Sequence, residues 1–198
     1  MKIKKFVFII ANTSWFGKRY WQNSPYTLAL LTGILKKDGY DVGLIDANLE
    51  NLNEEEVKAR VRALNPNFVL ISALTLEYKE CVHKTFELVK EVNKDIITIL
   101  GGIYPTLSIQ VAVADPNIDF IIRSEGEERL PALLKEIEGN KEFDKVDGLA
   151  YRKEGESTPI INPVIKRVTD LDQFPLPDYK NFNMNNYLNF GQKYTQNF

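Results

Sequence analysis

Five short apolar runs alternate with longer amphipathic segments over the first 140 residues. The runs are rich in β-branched residues and lie near 6–11, 42–46, 68–73, 96–100 and 119–122. The segments between them repeat apolar residues at helical spacing, as Val82, Phe86 and Val89 do. Continuously apolar strands separated by amphipathic helices indicate parallel strands covered on both faces. The pattern predicts an α/β fold, a doubly wound five-stranded parallel sheet with right-handed crossovers.

Residues that favour helix ends support three of the predicted helices. Ser24, followed by Pro25, is expected to cap a helix that ends near Gly39. Asn53, with Glu56 three residues later, has the pattern of a capping box for the next helix. Pro105 fits the first turn of a short helix that we expect to reach Ala114.

The pattern changes after Gly139. Residues 148–152 and 158–161 read as the two strands of a β-hairpin. From Asn162 onward no apolar period is sustained and prolines interrupt the chain, which predicts an extended arm. We expect the end of this arm to be more mobile than the sheet. The expected regions are an α/β domain at 1–140, a hairpin and linker at 141–180 and a tail at 181–198.

Composition excludes several classes of protein. Hydrophobic residues make up 44% of the 198 and charged residues 26%, as in soluble globular proteins. The net charge is −2 and no basic block is present, so we expect no nucleic acid partner. No apolar run approaches the roughly 20 residues that cross a bilayer, so no membrane is expected. The single cysteine, Cys81, excludes an internal disulfide or multi-cysteine metal site within these residues, and a reducing, cytoplasmic setting is expected.

Small and polar residues follow four of the predicted strands. In a doubly wound sheet, ligands bind beyond the carboxyl ends of the strands, at the point where the strand order reverses. These ends offer hydroxyls, backbone N–H groups and a carboxylate but no basic cluster, which suits a large neutral or amide-rich ligand. Neither a Walker loop nor a G-x-G-x-x-G motif is present. The ends are Asn12–Ser14, Ser72–Thr75, Gly101–Gly102 and Ser124–Glu127.

Gly101 and Gly102 end the fourth apolar run, just before the segment that Pro105 opens. Without a Cβ, these residues allow a bulky ligand to lie against the backbone and allow positive φ angles. An ordinary strand-to-helix turn that uses two glycines is an equally good interpretation of this motif alone.

A series of short segments also resembles a known family. They are Pro25 with its helix, Asp38–Val42, Ile45–Asn48, Leu64–Pro66, Ile71–Thr75, Leu100–Thr106, Asp119–Glu128, Gly148–Arg152 and Leu171–Pro177. In this order they resemble the N-terminal cobalamin-binding half of the B12-dependent radical S-adenosylmethionine proteins, over roughly residues 1–180. The resemblance implies a flavodoxin-like fold with cobalamin at the strand ends. It also implies a second half, a radical enzyme barrel whose Cys-x-x-x-Cys-x-x-Cys motif carries a 4Fe-4S cluster and which binds S-adenosylmethionine.

The resemblance implies a set of cofactor contacts. They are Asn12, Thr13, Ser14, Trp15, Ser72, Leu74, Thr75, Gly101, Gly102, Tyr104, Pro105, Thr106, Glu125, Gly126 and Glu127. Better-known cobalamin domains supply a histidine to cobalt from an Asp-x-His-x-x-Gly loop, whereas residues 12–24 contain no histidine. The only histidine, His83, is expected on a helix surface. We therefore expect base-off cobalamin without a histidine ligand, its lower face covered by Trp15, Phe16 or Leu74.

Other interpretations of these residues stay open. The aromatic residues of the first loop could instead form a surface for a second domain. Glu125 and Glu127 would be favourable at a helix N-terminus without any ligand. Tyr104 could be a surface phenol, and Cys81 is expected to be a small buried apolar residue.

The resemblance implies a domain that presents cobalamin to a catalytic half absent from these residues. The whole protein would be a methyltransferase or an oxidative cyclase of the Mg-protoporphyrin monomethyl ester type, with the isolated chain not catalytic and without a metal site of its own. The alternative is a free-standing, non-enzymatic carrier or sensor of cobalamin or flavin. Flavin would favour a phosphate-binding loop after the first strand, which Trp15 and Phe16 argue against. A receiver-type signalling domain would need an acidic pair there.

Overall fold

A single mixed sheet of seven strands organises the computed structural model, which describes residues 4–153, 155–156 and 158–195, the last six by backbone only. The strands are β1 (Lys5–Ile10), β2 (Asp41–Asp46), β3 (Phe68–Ser72), β4 (Ile97–Gly101), β5 (Phe120–Ile122), β6 (Leu149–Tyr151) and β7 (Ile160–Ile161). Their order is β2-β1-β3-β4-β5-β6-β7; the first five are parallel and the last two antiparallel. The predicted α/β fold with a mostly parallel sheet is confirmed.

The sheet is longer than the five strands that we predicted. β6 pairs with β5 in the antiparallel direction and β7 pairs with β6, so both strands extend the parallel sheet at its β5 edge. The tip of the predicted hairpin includes residues 154 and 157, which lie outside the described residues. The last three residues of the predicted tail, 196–198, also lie outside them.

Seven α-helices connect and flank the strands in the described part of the chain. They are α1 (Tyr26–Lys37), α2 (Glu54–Leu64), α3 (Lys79–Val92), α4 (Ile103–Leu107), α5 (Ile109–Ala112), α6 (Gly126–Glu138) and α7 (Met184–Thr195). The capping box of α2 is confirmed: Asn53 Oδ1 accepts from Glu56 N, and Glu56 Oε2 accepts from Asn53 N. The predicted Ser24 cap is wrong, because Pro25 is the residue that precedes α1 and no side chain caps this end.

The helix predicted to start at Pro105 begins earlier and is divided. α4 starts at Ile103, directly after Gly102. Ser108 has non-helical backbone angles, φ −127° and ψ 46°, and separates α4 from α5. Pro105 still lies within the first turn of α4, where a missing N–H leaves no helical bond unmade.

Alternating side chains of β1 enter two separate apolar layers. Phe6 and Phe8 pack with α1 and α6 on one face, and Val7 and Ile9 pack with α2 and α3 on the other; all four are fully buried. Burying each such side chain contributes about 1.5–3 kcal/mol of transfer free energy. Helices on both faces and the strand order β2-β1-β3 place a crevice at the carboxyl ends of β1 and β3.

The segment after β7 packs against the domain and then becomes helical. Asp178 accepts from Lys36 Nζ at 2.8 Å and donates its backbone N–H to Ala29 O at 2.9 Å. Asn181 Nδ2 donates to Val42 O of the edge strand β2 at 2.6 Å. The prediction of an extended arm is therefore wrong over α7, where Met184 packs against the core. Its greater mobility stays a prediction.

Gly33 of α1 offers a test of how this arm packs. A Cβ at Gly33 would lie 2.7 Å from Leu176 O of the arm. Glycine to alanine inside a helix normally stabilises by up to about 1 kcal/mol, but here the clash should reverse the sign. We expect Gly33→Ala to lower the free energy of unfolding by about 1–3 kcal/mol in urea titration.

Exposed Lys37 of the same helix supplies the control for Gly33→Ala. Lys37→Ala should change the free energy of unfolding by no more than about 0.5 kcal/mol. A more stable Gly33→Ala variant would mean that the arm does not pack closely on α1 in solution.

Candidate functional site

Two cavities open at the carboxyl edge of the sheet and share Thr27, Ser72 and Leu74 as lining residues. The switch-point cavity, about 130 Å³, lies between the ends of β1 and β3 and is also lined by Thr13, Gln22, Asn48 and Tyr187. The glycine cavity, about 490 Å³, lies at the ends of β3, β4 and β5 and is also lined by Gly101, Gly102, Leu107 and Glu127. The two cavities thus meet at Leu74, in the loop after β3.

The glycine cavity has apolar walls, and Gly101 forms its floor with free space next to the backbone. Leu31 of α1, Leu70 of β3, Ile122 of β5 and Leu130 of α6 supply apolar surface. A Cβ built on Gly101 would meet nothing closer than Ile122 O, at 3.9 Å. A larger side chain at position 101 would therefore extend into the cavity.

Gly102 has a different role from its neighbour. Its φ is +100°, and a Cβ there would lie 2.4 Å from Ala73 O. The same Ala73 O accepts from Tyr104 N at 2.9 Å, and Ala73 N donates to Gly101 O at 2.9 Å. Gly102 therefore lets the loop after β4 lie directly on the loop after β3, which brings the predicted residues of both loops together.

The loop after β5 is tied to the same place through Thr106. Its Oγ1 donates to Gly102 O at 2.8 Å and accepts from Ser124 N at 2.8 Å. Ser124 has φ +65°, a conformation that non-glycine residues adopt at a cost of about 1–3 kcal/mol. Thr106 lines the glycine cavity, but its hydroxyl is already engaged within the protein.

The two predicted carboxylates at the start of α6 differ in their partners. Glu125 Oε2 accepts from Ser124 Oγ at 2.5 Å and from Arg129 Nη1 at 3.2 Å, and these bonds hold the pKa of Glu125 below its usual range. Glu127 Oε2 is buried and has no hydrogen-bond partner in the described part of the chain. Glu127 thus differs from Glu125 in having a buried carboxylate oxygen that no group in the described part of the chain engages.

The loop after β1 is held to the segment after β2 by hydrogen bonds of its polar residues. Asn12 is buried, donates to Leu52 O at 3.1 Å and accepts from Ser14 Oγ at 2.7 Å. Trp15 Nε1 also donates to Leu52 O, at 3.1 Å. Of the predicted residues in this loop, Thr13 lines the switch-point cavity and the other three line neither cavity. Their contacts with a cofactor stay predictions.

His83 and Tyr104 contact each other outside both cavities. His83 Nδ1 lies 2.5 Å from Asp115 Oδ2, and His83 Nε2 lies 2.7 Å from Tyr104 OH. Neither Tyr104 nor Pro105 lines a cavity. Tyr104 is 1% exposed, and burial together with the charge of Asp115 raises its pKa to about 12. The alternative of a surface phenol is therefore wrong, whereas His83 lies on α3 with its side chain 22% exposed.

Several cavity-lining residues were not predicted. Gln22 Oε1 accepts from Tyr20 OH at 2.6 Å, while its buried Nε2 has no partner in the described part of the chain. Tyr187 of α7 donates to Asp46, whose pKa is raised by burial. Thr27 and Leu31 could have been found, because they lie four residues apart on the helix that starts at this edge. No comparable pattern pointed to Gln22 or Tyr187.

Residues 4–153, 155–156 and 158–195 contain no group of three or more His, Cys, Asp or Glu side chains placed to hold a metal ion. None of the helices in this part is both long and apolar enough to cross a bilayer. Cys81 is fully buried, as predicted, and burial raises its pKa.

Comparison with known proteins gives matches over most of this chain. The model of the B12 binding domain family matches residues 17–134. The anaerobic magnesium-protoporphyrin IX monomethyl ester cyclase of Rubrivivax gelatinosus is 35% identical over 161 residues, 78% of this chain and 28% of that protein. The cytidylyl-2-hydroxyethylphosphonate methyltransferase of Streptomyces wedmorensis is 23% identical, over 83% of this chain and 38% of that protein.

Solved structures share the fold. The cobalamin-dependent S-adenosylmethionine radical enzyme OxsB with aqua-cobalamin bound gives a TM-score of 0.75 at 18% identity, covering 96% of this chain and 26% of that one. The radical S-adenosylmethionine methyltransferase TsrM of Kitasatospora setae gives 0.69 at 15% identity, covering 88% and 31%. This chain thus spans between 26% and 38% of the length of these four proteins. It belongs to the B12-binding domain family, and its relatives include B12-dependent radical S-adenosylmethionine proteins.

Proposed function

We propose that this chain binds cobalamin across both cavities and presents it to the radical S-adenosylmethionine half of a longer protein. The observation that carries the proposal is the glycine cavity, an apolar space of about 490 Å³ floored by Gly101 at the strand ends. Membership in the B12-binding domain family supports the identity of the ligand. The relatives' greater length supports the existence of the second half.

The residues of the glycine cavity fit the nucleotide tail of the cofactor. Leu31, Leu70, Ile122 and Leu130 offer apolar surface to a flat aromatic base. Burying an aromatic group of that size is worth about 1.5–3 kcal/mol. Ser72 and Glu127 are among the polar residues that line this cavity, and Glu127 Oε2 is an acceptor without a partner in the described residues.

The residues of the switch-point cavity fit the region below the corrin ring. Leu74 lies between the cavities and is the predicted covering residue that the geometry favours. Trp15 donates a hydrogen bond to Leu52 O, and Phe16 is 59% exposed. Both residues are therefore less suited than Leu74 to cover the lower face of the corrin ring. No histidine lines either cavity, which supports binding in the base-off form without a histidine ligand.

The reaction belongs to the whole protein. Bound cobalamin supplies methyl transfer or one-electron chemistry at cobalt, and this chain would hold, orient and shield it. We infer that the other half binds S-adenosylmethionine and a 4Fe-4S cluster and sets the substrate. Methyl transfer and oxidative cyclisation are the two candidate reactions, in line with the names of the relatives. A cytoplasmic setting remains part of this proposal.

Gly101 variants test the location of the site. Gly101→Leu should fill the glycine cavity and weaken cobalamin binding at least about 100-fold, or about 2.7 kcal/mol, measured by isothermal titration calorimetry. Gly101→Ala adds only a Cβ with free space around it, so its affinity should stay within about tenfold of the unmodified chain.

Thermal unfolding of both variants without ligand is the control for folding. Gly102 is unsuitable for this test, because any side chain there collides with the Ala73 backbone. Unchanged affinity in a folded Gly101→Leu variant would place the cofactor elsewhere, and tighter binding of flavin mononucleotide than of cobalamin would favour the flavin alternative.

His83→Ala tests the state of cobalt. His83 is bonded to Asp115 and Tyr104 and lines neither cavity, so its removal should leave the absorption spectrum of bound cobalamin unchanged and base-off. Electron paramagnetic resonance of the cob(II)alamin state should show no hyperfine splitting from a histidine nitrogen. Such a splitting, present in the unmodified chain and lost in His83→Ala, would contradict the proposal.

A further inference from the structure

Unpartnered polar atoms mark both cavities. The described part of the chain contains three buried side-chain nitrogen or oxygen atoms without a hydrogen-bond partner: Gln22 Nε2, Arg123 Nε and Glu127 Oε2. Gln22 lines the switch-point cavity and Glu127 lines the glycine cavity, whereas Arg123 lines neither. Leaving a buried polar group unpaired is unfavourable, because the group has lost its hydrogen bonds to water. A ligand that pairs these atoms would remove that cost.

The two cavity atoms have opposite hydrogen-bonding character. Gln22 Nε2 is a donor, because the amide oxygen of Gln22 is the atom that accepts from Tyr20. Glu127 Oε2, as part of a carboxylate, can only accept. A primary carboxamide presents both an N–H donor and a C=O acceptor, so amide groups can satisfy both side chains. A carboxylate ligand could satisfy Gln22 but has no hydrogen to offer Glu127.

Neighbouring charges do not neutralise Glu127. Arg129, the cation on the same end of α6, donates to Glu125, to Asp147 and to Lys166 O. No ion pair involves Glu127 in the described residues. A negatively charged ligand group placed next to Glu127 Oε2 would therefore meet a like charge that has no partner cation among the described residues, which disfavours the binding of that group in its ionised form.

We propose that Glu127 selects ligands bearing carboxamides over forms in which one amide is replaced by a carboxylate, so that the chain favours fully amidated cobalamin over its monocarboxylic acids. The inference rests on the proposed function, because it needs cobalamin in these cavities. It goes further by assigning discrimination to one side chain. Sites that leave a buried polar group unpaired reject the wrong ligand more strongly than sites that differ by apolar contact alone.

The test compares hydroxocobalamin with each of its monocarboxylic acids, in which one propionamide is hydrolysed, by isothermal titration calorimetry on the 198-residue chain. At least one acid isomer should bind the unmodified chain at least about tenfold more weakly, or about 1.4 kcal/mol. Glu127→Gln supplies an N–H donor and removes the charge. In this variant, the dissociation constants of that acid isomer and of hydroxocobalamin should therefore agree to within about threefold.

Glu128→Gln is the matched control. Glu128 follows Glu127 in α6, is exposed and accepts a hydrogen bond from Gln173, and it lines neither cavity. Glu128→Gln therefore changes the net charge of the chain by the same amount as Glu127→Gln without altering either cavity. The tenfold ratio should persist in this variant. Glu127→Ala, which also removes the carboxylate, gives the same comparison if Glu127→Gln fails to fold.

Two results would overturn the selectivity. One is equal binding of cobalamin and all the acid isomers by the unmodified chain. The other is a ratio that persists in both Glu127 variants or disappears in Glu128→Gln. Failure of the unmodified chain to bind cobalamin itself is a separate result, and it would overturn the proposed function together with this inference.

Discussion

The close approach of Gly102 to the Ala73 backbone is the constraint on which the site depends. A Cβ at Gly102 would lie 2.4 Å from Ala73 O, so only glycine allows the loops after β3 and β4 to lie together. Ala73 then bonds to Gly101 and Tyr104 on either side of Gly102. This contact fixes Gly101 as the cavity floor and places Leu74 where the two cavities meet.

Further hydrogen bonds hold the residues around the glycine cavity in place without a ligand. Thr106 joins Gly102 to Ser124, and the Arg129 side chain bonds to both Glu125 and Asp147, which anchors the start of α6 to the segment before β6. The polar residues with the best internal partners are therefore structural, although they surround the site. In the described part of the chain, Glu127 Oε2 and Gln22 Nε2 have no hydrogen-bond partner. Both atoms can therefore pair with a ligand in a cavity that the fold has already formed.

The sequence predicted which loops line the two cavities better than the role of each residue. Gly101 and Gly102 were recognised as a pair, but only their contacts separate a cavity floor from a packing residue. The resemblance implies a cofactor contact for Tyr104, yet its phenol is hydrogen-bonded to His83 on α3. Tyr187 meets Asp46 across 141 positions of sequence, in a segment whose asparagines conceal its helical period. Such non-local contacts have no signature in a single sequence.

We propose that the glycine cavity binds the nucleotide tail of cobalamin. The most direct measurement compares the dissociation constants of cobalamin and cobinamide, which has the corrin ring without that tail. Filling the cavity with an aromatic base should make cobalamin bind about 10- to 100-fold more tightly. Equal dissociation constants for the two corrinoids would mean that the nucleotide tail binds outside the glycine cavity.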